Sequence, residues 1–110
     1  MSSVVAYVVD LMDRSKMTRA AGASGIDITF VRSAAQLADA LAGGGAASVV
    51  VDLGRPDAID AITAVAGRSP VVGYGSHVDT DRLQAARHAG AATVLARSAF
   101  FSDPARWMRG

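Results

Sequence analysis

Short apolar runs alternate along this chain with longer stretches in which apolar and polar residues are mixed. Val4 to Val9 and Ser48 to Val51 carry almost no charge until each run meets an acid, Asp10 in the first and Asp52 in the second. A strand without polar alternation is buried on both faces, as in parallel sheets covered by helices. Pro70 to Tyr74 and Ala92 to Ala96 read the same way. Ile26 to Val31 alternates instead and predicts a strand with one wetter face, nearer an edge.

The intervening stretches fit helices. Leu11 to Ala23 is helix-compatible and is closed by Gly22 and Gly25. Ser33 and Gln36 have capping-box spacing, and Ala34, Leu37, Ala38 and Leu41 follow as one apolar stripe. Ala58, Ile59, Ile62, Val65 and Ala66 predict a third helix stopped by Gly67, with Pro56 in its first turn. Asp79 or Thr80 caps a fourth, which carries Leu83, Ala86 and Ala89 and ends at Gly90. Asp103-Pro104 opens a short last helix holding Trp107 and Met108, with Ala99, Phe100 and Phe101 in the connection before it.

Five strands alternating with five helices predict an α/β fold, a flavodoxin-like (βα)5 three-layer sandwich with parallel sheet order 2-1-3-4-5. The wetter second strand then lies at an edge. Asp10 and Asp52 come side by side at the switch point, outside the carboxyl ends of the strands, where open sheets hold their sites.

Composition narrows the options. The 110 residues suffice for one core, so residues 1–110 are expected to be a single domain. A net charge of +1 without a basic run gives no basis for a nucleic-acid partner. The absence of cysteine excludes disulfides and thiolate metal sites. No apolar segment approaches the ~20 residues of a membrane span, and Met1-Ser2-Ser3 opens without a basic region ahead of an apolar stretch. A cytoplasmic protein with no membrane attachment is expected.

The segment Val51-Asp52-Leu53-Gly54-Arg55-Pro56-Asp57 resembles the phosphoacceptor stretch of response-regulator receiver domains (CheY-like), with a proline four residues after the aspartate. Val8-Val9-Asp10 is similar to the end of their first strand, and Pro70-Val71-Val72 to the opening of their fourth. Ala85-Ala86-Arg87-His88-Ala89-Gly90-Ala91 is similar to their fourth helix running into "A-G-A", and Arg97-Ser98 falls where they carry Lys-Pro. The likeness covers nearly the whole chain in the same order, with a third helix region shorter than the family's.

That resemblance implies a particular chemistry. Two first-strand acids hold a divalent cation, the third-strand aspartate attacks phosphorus, and a fourth-strand hydroxyl and a fifth-strand lysine bind the phosphoryl oxygens. The cation matters because an anionic nucleophile must approach an anionic phosphoryl group. Only Asp10 and Asp52 match. Leu11 stands where the second acid belongs, with Asp13 three residues on from Asp10 as the candidate to lean in. Gly75 stands at the hydroxyl position with Ser76 next to it. Arg97 replaces the lysine, keeping the charge on a planar fork. Val94 stands where the family has its switch aromatic.

From the residues alone, other roles stay open. Asp10 and Asp52 could share a proton or pair with Arg97 in a buried network. Asp13 could cap a helix, His77 could be a plain loop residue, and Phe100, Phe101 and Trp107 could cap the core. Ser76, His77 and Asp79 are too nearly consecutive to align as nucleophile, base and orienter. Asp with His could ligate a metal, but the spacing matches no specific motif.

With the resemblance, the expectation is a stand-alone receiver-like module, not an enzyme, that docks to another signalling or regulatory protein and is not efficiently phosphorylated. One alternative is a weakly active phosphoacceptor at Asp52 in a phosphorelay. Another is a small-ligand or phosphate-binding protein using the Gly75-Ser76-His77 loop. Asp10, Asp13, Ser76, His77 and Arg97 are the candidate binding residues, and Asp10, Asp13 and Asp52 the candidate Mg ligands, although no cofactor is expected. Arg97 is expected to pair with Asp52 or Asp10. Phe100, Phe101 and Trp107 are expected to form the interface with a partner or in a homodimer, with no nucleic acid and no membrane involved.

Overall fold

The computed structural model describes residues 3–109. Its strands are β1 (Ser3–Tyr7), β2 (Asp27–Val31), β3 (Ser48–Asp52), β4 (Val71–Gly75) and β5 (Thr93–Ala96). The helices are α1 (Leu11–Ser24), α2 (Ala34–Ala40), α3 (Ala58–Val65), α4 (Thr80–His88), α5 (Arg97–Ser102) and α6 (Pro104–Met108). The strands form one parallel sheet in the order β2-β1-β3-β4-β5, the expected flavodoxin-like arrangement. β2, with its alternating sequence, lies at an edge, and the uninterrupted apolar runs of β3 and β4 are buried on both faces.

Successive side chains point to opposite faces of the sheet and build two cores. Val5, Tyr7, Val49, Val51 and Val71 pack against Leu37 of α2, Ile62 and Val65 of α3 and Ala86 of α4. Val4, Ala6, Val50, Val72 and Tyr74 pack against Met17 and Ala21 of α1, Phe100 of α5 and Met108 of α6. The predicted caps form at two helices. Ser33 Oγ accepts from the Gln36 N–H, while Gln36 Oε1 accepts from the Arg32 N–H. Asp79 Oδ1 accepts from the Arg82 N–H at the start of α4.

Several expectations need correction. β1 ends at Tyr7, so Asp10 lies three residues beyond the strand. Gly22 lies inside α1, and Gly25, in the left-handed region at φ 67°, ends it. Pro56 lies in the turn ahead of α3, with Asp57 at the cap position. The connection expected around Phe100 is helical: α5 begins directly at the end of β5 with no residue between them. Pro104 then starts a separate helix, because a residue before proline is pushed out of the helical region, here Asp103 at φ −157°, ψ 76°. Asp103 occupies the cap position but makes no side-chain cap bond.

Gly90 follows α4 at φ 110°, and a Cβ built there would lie 2.9 Å from Ala66 Cβ. Gly90→Ala therefore combines backbone strain with overpacking and should destabilise by about 2 kcal/mol. Gly22 has open space around it, so Gly22→Ala should stabilise by about 0.5–1 kcal/mol through helix propensity. Urea midpoints at unchanged m-value check both.

Candidate functional site

The parallel register brings the carboxyl ends of the central strands to one edge. Tyr7 pairs with Val51, Asp52 with Tyr74, and Gly75 with Ala96, after which Arg97 opens α5. The remaining member comes from α1. Asp13, Met17 and Ala21, spaced by four, form the buried stripe of that helix, so its sheet-facing ridge has a carboxylate at the top.

Asp13 is 2% exposed, and both of its oxygens accept hydrogen bonds. Arg97 donates to both of its oxygens, Nη2 to Oδ1 at 2.7 Å and Nη1 to Oδ2 at 2.9 Å. The Tyr74 hydroxyl donates to Oδ2 at 2.9 Å. A bidentate guanidinium is the strongest partner available to a buried carboxylate. Arg97 thus pairs with Asp13, and not with Asp52 or Asp10 as the sequence led us to expect. Its guanidinium also lies over the rings of Tyr74 and Phe101, at 5.4 and 5.3 Å from their centroids.

Burial pushes the Asp13 carboxyl up, but the bonds from Arg97 and Tyr74 outweigh it and hold the group below the usual carboxylate range. Asp52 goes the other way. Burial raises it, the Gly54 N–H bond to Oδ1 at 2.9 Å offsets part of that, and the charge of Asp13 raises it further. Burial also raises the Tyr74 hydroxyl, and the carboxylates around it add to the effect, so it stays a donor.

Asp10 is the N-cap of α1. Its Oδ1 accepts from the Asp13 N–H at 2.9 Å, and the residue is exposed. The two carboxylates at the switch point are therefore Asp13 and Asp52. The expected metal set of Asp10, Asp13 and Asp52 does not assemble: among the described residues no three His, Cys, Asp or Glu side chains form a metal-holding group. With both Asp13 oxygens committed to the guanidinium and the tyrosine, the donor set does not fit a hard divalent ion, which needs several free oxygens.

Gly75, at the hydroxyl position, is shaped by Leu53. A Cβ on Gly75 would lie 3.1 Å from Leu53 Cβ, and one on Gly73 would lie 3.0 Å from Leu53 Cδ2. Leu53 is 1% exposed, and a side chain at either position would need it to give by a few tenths of an ångström. Ser76 sits on the rim of a crevice of about 320 Å³ between Leu53, Pro56 and the start of α4. His77 is exposed in the loop and is not among the crevice walls. Arg82 of α4 crosses below, donating from Nε to the Leu53 carbonyl and from Nη2 to the carbonyls of Arg55 and Pro56.

The proposed aromatic interface divides. Phe100 is fully buried, stacked on Tyr74 with centroids 4.9 Å apart, so it belongs to the core. Phe101 and Trp107 are half-buried against the same core, and Arg106 lies 4.8 Å above the Trp107 ring. Tyr74, Arg82 and the Tyr7–Asp57 hydrogen bond at 2.7 Å were missed in the sequence. The signal for the tyrosines was there: a hydroxyl inside an apolar strand must find a partner.

No family model matches the sequence, and no curated protein matches it. The fold is similar to that of solved response regulators. One from Hahella chejuensis is 21% identical, with 93% of this chain and 88% of that one covered at a TM-score of 0.81. One from Thermotoga maritima is 14% identical, with 97% and 93% covered at 0.82. The receiver domain of the sensor histidine kinase PA1611 from Pseudomonas aeruginosa, with a magnesium ion coordinated in its active-site cleft, is 12% identical, with 98% and 94% covered at 0.83. The chain has the receiver-domain fold. Among the described residues no helix is long and apolar enough to cross a membrane.

Two stability measurements test this electrostatic arrangement. A depressed Asp13 contributes stability above the unfolded carboxylate pKa that is lost as pH falls through the folded value. Arg97→Ala leaves that carboxylate buried with Tyr74 alone and should cost about 2 kcal/mol at pH 7, below the full buried-pair penalty because the Arg97 side chain is 45% exposed. The deficit should close in acid, and adding Asp13→Asn should recover part of it at pH 7. Asp52 has the opposite sign: its raised pKa gives stability that is present in acid and lost as pH rises through the folded value. Asp52→Asn should therefore raise the urea midpoint at pH 7, with the gain vanishing below about pH 4.

Proposed function

We propose that residues 1–110 form a receiver-like signalling module that works by binding another regulatory protein, in the cytoplasm, without efficient phosphorylation of Asp52. The observation that carries this reading is the state of Asp13. Among the described residues the one buried acid is Asp13, and Arg97 holds it at 2.7 and 2.9 Å, so an internal guanidinium supplies the charge that a divalent ion supplies in a phosphoacceptor site. Phosphoryl transfer depends on electrostatic stabilisation and positioning. Here the cation is already spent on Asp13, and Gly75 offers no side-chain hydroxyl, with Leu53 packed close against it.

The ligand-binding alternative draws less support. The crevice beside Ser76 has a cation at its base, but the Arg82 guanidinium is satisfied by three backbone carbonyls, and the Asp79 carboxylate lines the same space. Both features disfavour a phosphate there.

Incubation with acetyl phosphate and magnesium, followed by intact-mass measurement, tests the proposal. Wild type should show no phosphate adduct above the Asp52→Asn control. A substantial adduct in wild type that is absent from the control would make Asp52 a working phosphoacceptor and overturn this reading.

A further inference from the structure

β2 is an edge strand that pairs with β1 alone. Among the described residues no other backbone group bonds to residues 27–31. In a parallel ladder a strand bonds its neighbour through alternate residues, so a row of β2 N–H and C=O groups points outward to water. One face of the strand is open as well: Asp27 and Thr29 are exposed on the α2 side, where Val31 alone is buried. On the other face Ile28 and Phe30 are half-buried, and the Arg14 guanidinium lies 5.0 Å from the Phe30 ring centroid.

Edge strands of natural proteins carry devices against pairing, such as a lysine, a proline, a bulge or an inward charge. β2 has none of these. Ile28-Thr29-Phe30-Val31 holds no charge, no proline and no glycine, and the register with β1 runs unbroken over the strand. Its one charge, Asp27, stands at the first position. β-branched and aromatic side chains of this kind favour a paired strand. The opposite edge differs: β5 is four residues long and runs directly into α5.

We infer that β2 pairs antiparallel with β2 of a second copy of this chain, across a two-fold axis at Thr29, joining the two sheets into one. Such an axis stands normal to the sheet and preserves its faces, so residues brought opposite each other have the same parity. Of the registers this leaves, the one centred on Thr29 pairs the whole strand. Thr29 then meets the second copy's Thr29, Ile28 meets its Phe30, and Asp27 meets its Val31. Thr–Thr and aromatic–β-branched pairs are favourable cross-strand contacts, and no like charges come opposite each other. Centring on Phe30 sets Arg32 against Ile28. Centring on Ile28 sets Val31 against Gly25, which lies outside the strand. The strand is complementary to itself, which selects a second copy over an unrelated extended segment. β1 separates this edge from β3, so the pairing calls on no chemistry at Asp52.

Sedimentation velocity of the full chain at rising concentration should show a monomer–dimer equilibrium in the micromolar range, as a small interface gives. Thr29→Lys and Thr29→Glu each set like charges opposite one another at the axis and should weaken the dimer by about tenfold or more. Mixed in equal amounts, the two variants should dimerise again, because opposite charges now meet. Thr29 is exposed, so the near-UV circular dichroism of both should match wild type. A crosslink gives a second readout. The chain has no cysteine, so Thr29→Cys under mild oxidation should yield an interchain disulfide. Asp27→Cys should not, because in this register its counterpart lies about 14 Å away, beyond disulfide reach. A chain that stays monomeric, a dimer indifferent to both charge variants, a mixture that fails to recover, or equal crosslinking from positions 27 and 29 overturns the inference. Capture of a different protein, and no second copy, by a photo-crosslinking phenylalanine at position 29 in the native cell assigns the edge to another occupant and also overturns it.

Discussion

A carboxylate buried between a helix and a sheet must be answered, and at Asp13 the answer organises the whole upper edge of the molecule. An unpaired charge at that depth would cost several kcal/mol. The pairing needs Arg97 at the point where β5 becomes α5, with no intervening residue, so that the guanidinium can reach back over Tyr74 to α1. It needs the Tyr74 hydroxyl on the α1 face of β4, which places Phe100 and Phe101 around the ring below. Helix start, strand end and aromatic packing meet at this one satisfied charge.

The loop after Asp52 is held as firmly, by different means on each side. Leu53 lies against Gly73 and Gly75, Tyr7 donates to Asp57, and Arg82 crosses from α4 to three carbonyls of the loop. Backbone carbonyls in a turn lack ladder partners, and a single guanidinium with donors in a planar fork can satisfy several at once. The segment that would have to adjust to a modified Asp52 is therefore tied to β1, β4 and α4 together.

Much of the architecture was legible because strand burial is written in composition. The unbroken apolar runs of β3 and β4 and the alternation of β2 gave their places in the sheet, and the Ser33–Gln36 spacing gave a helix start. The site was less legible. Asp10 reads as a strand-end acid only if β1 extends to Val9; the strand stops at Tyr7, and that shift turns Asp10 into a cap and puts Asp13 on the buried ridge. A few residues of phase decide which of two acids faces Arg97, and hydrophobic pattern does not resolve boundaries that finely. The α5 helix had no apolar stripe ahead of Pro104 to reveal it. Arg82 reaches partners 26 to 29 residues away, a contact that only the fold brings about.

The packing of Leu53 over Gly73 and Gly75 also constrains how this sequence can change. A threonine introduced at position 75 would place its Cβ 3.1 Å from Leu53 Cβ, so Leu53 must shift by a few tenths of an ångström to admit it. Shortening Leu53 instead opens a void that destabilises on its own. The two sites are coupled through shared volume. In this sequence core packing, independently of the chemistry at Asp52, sets how readily a side chain enters at position 75.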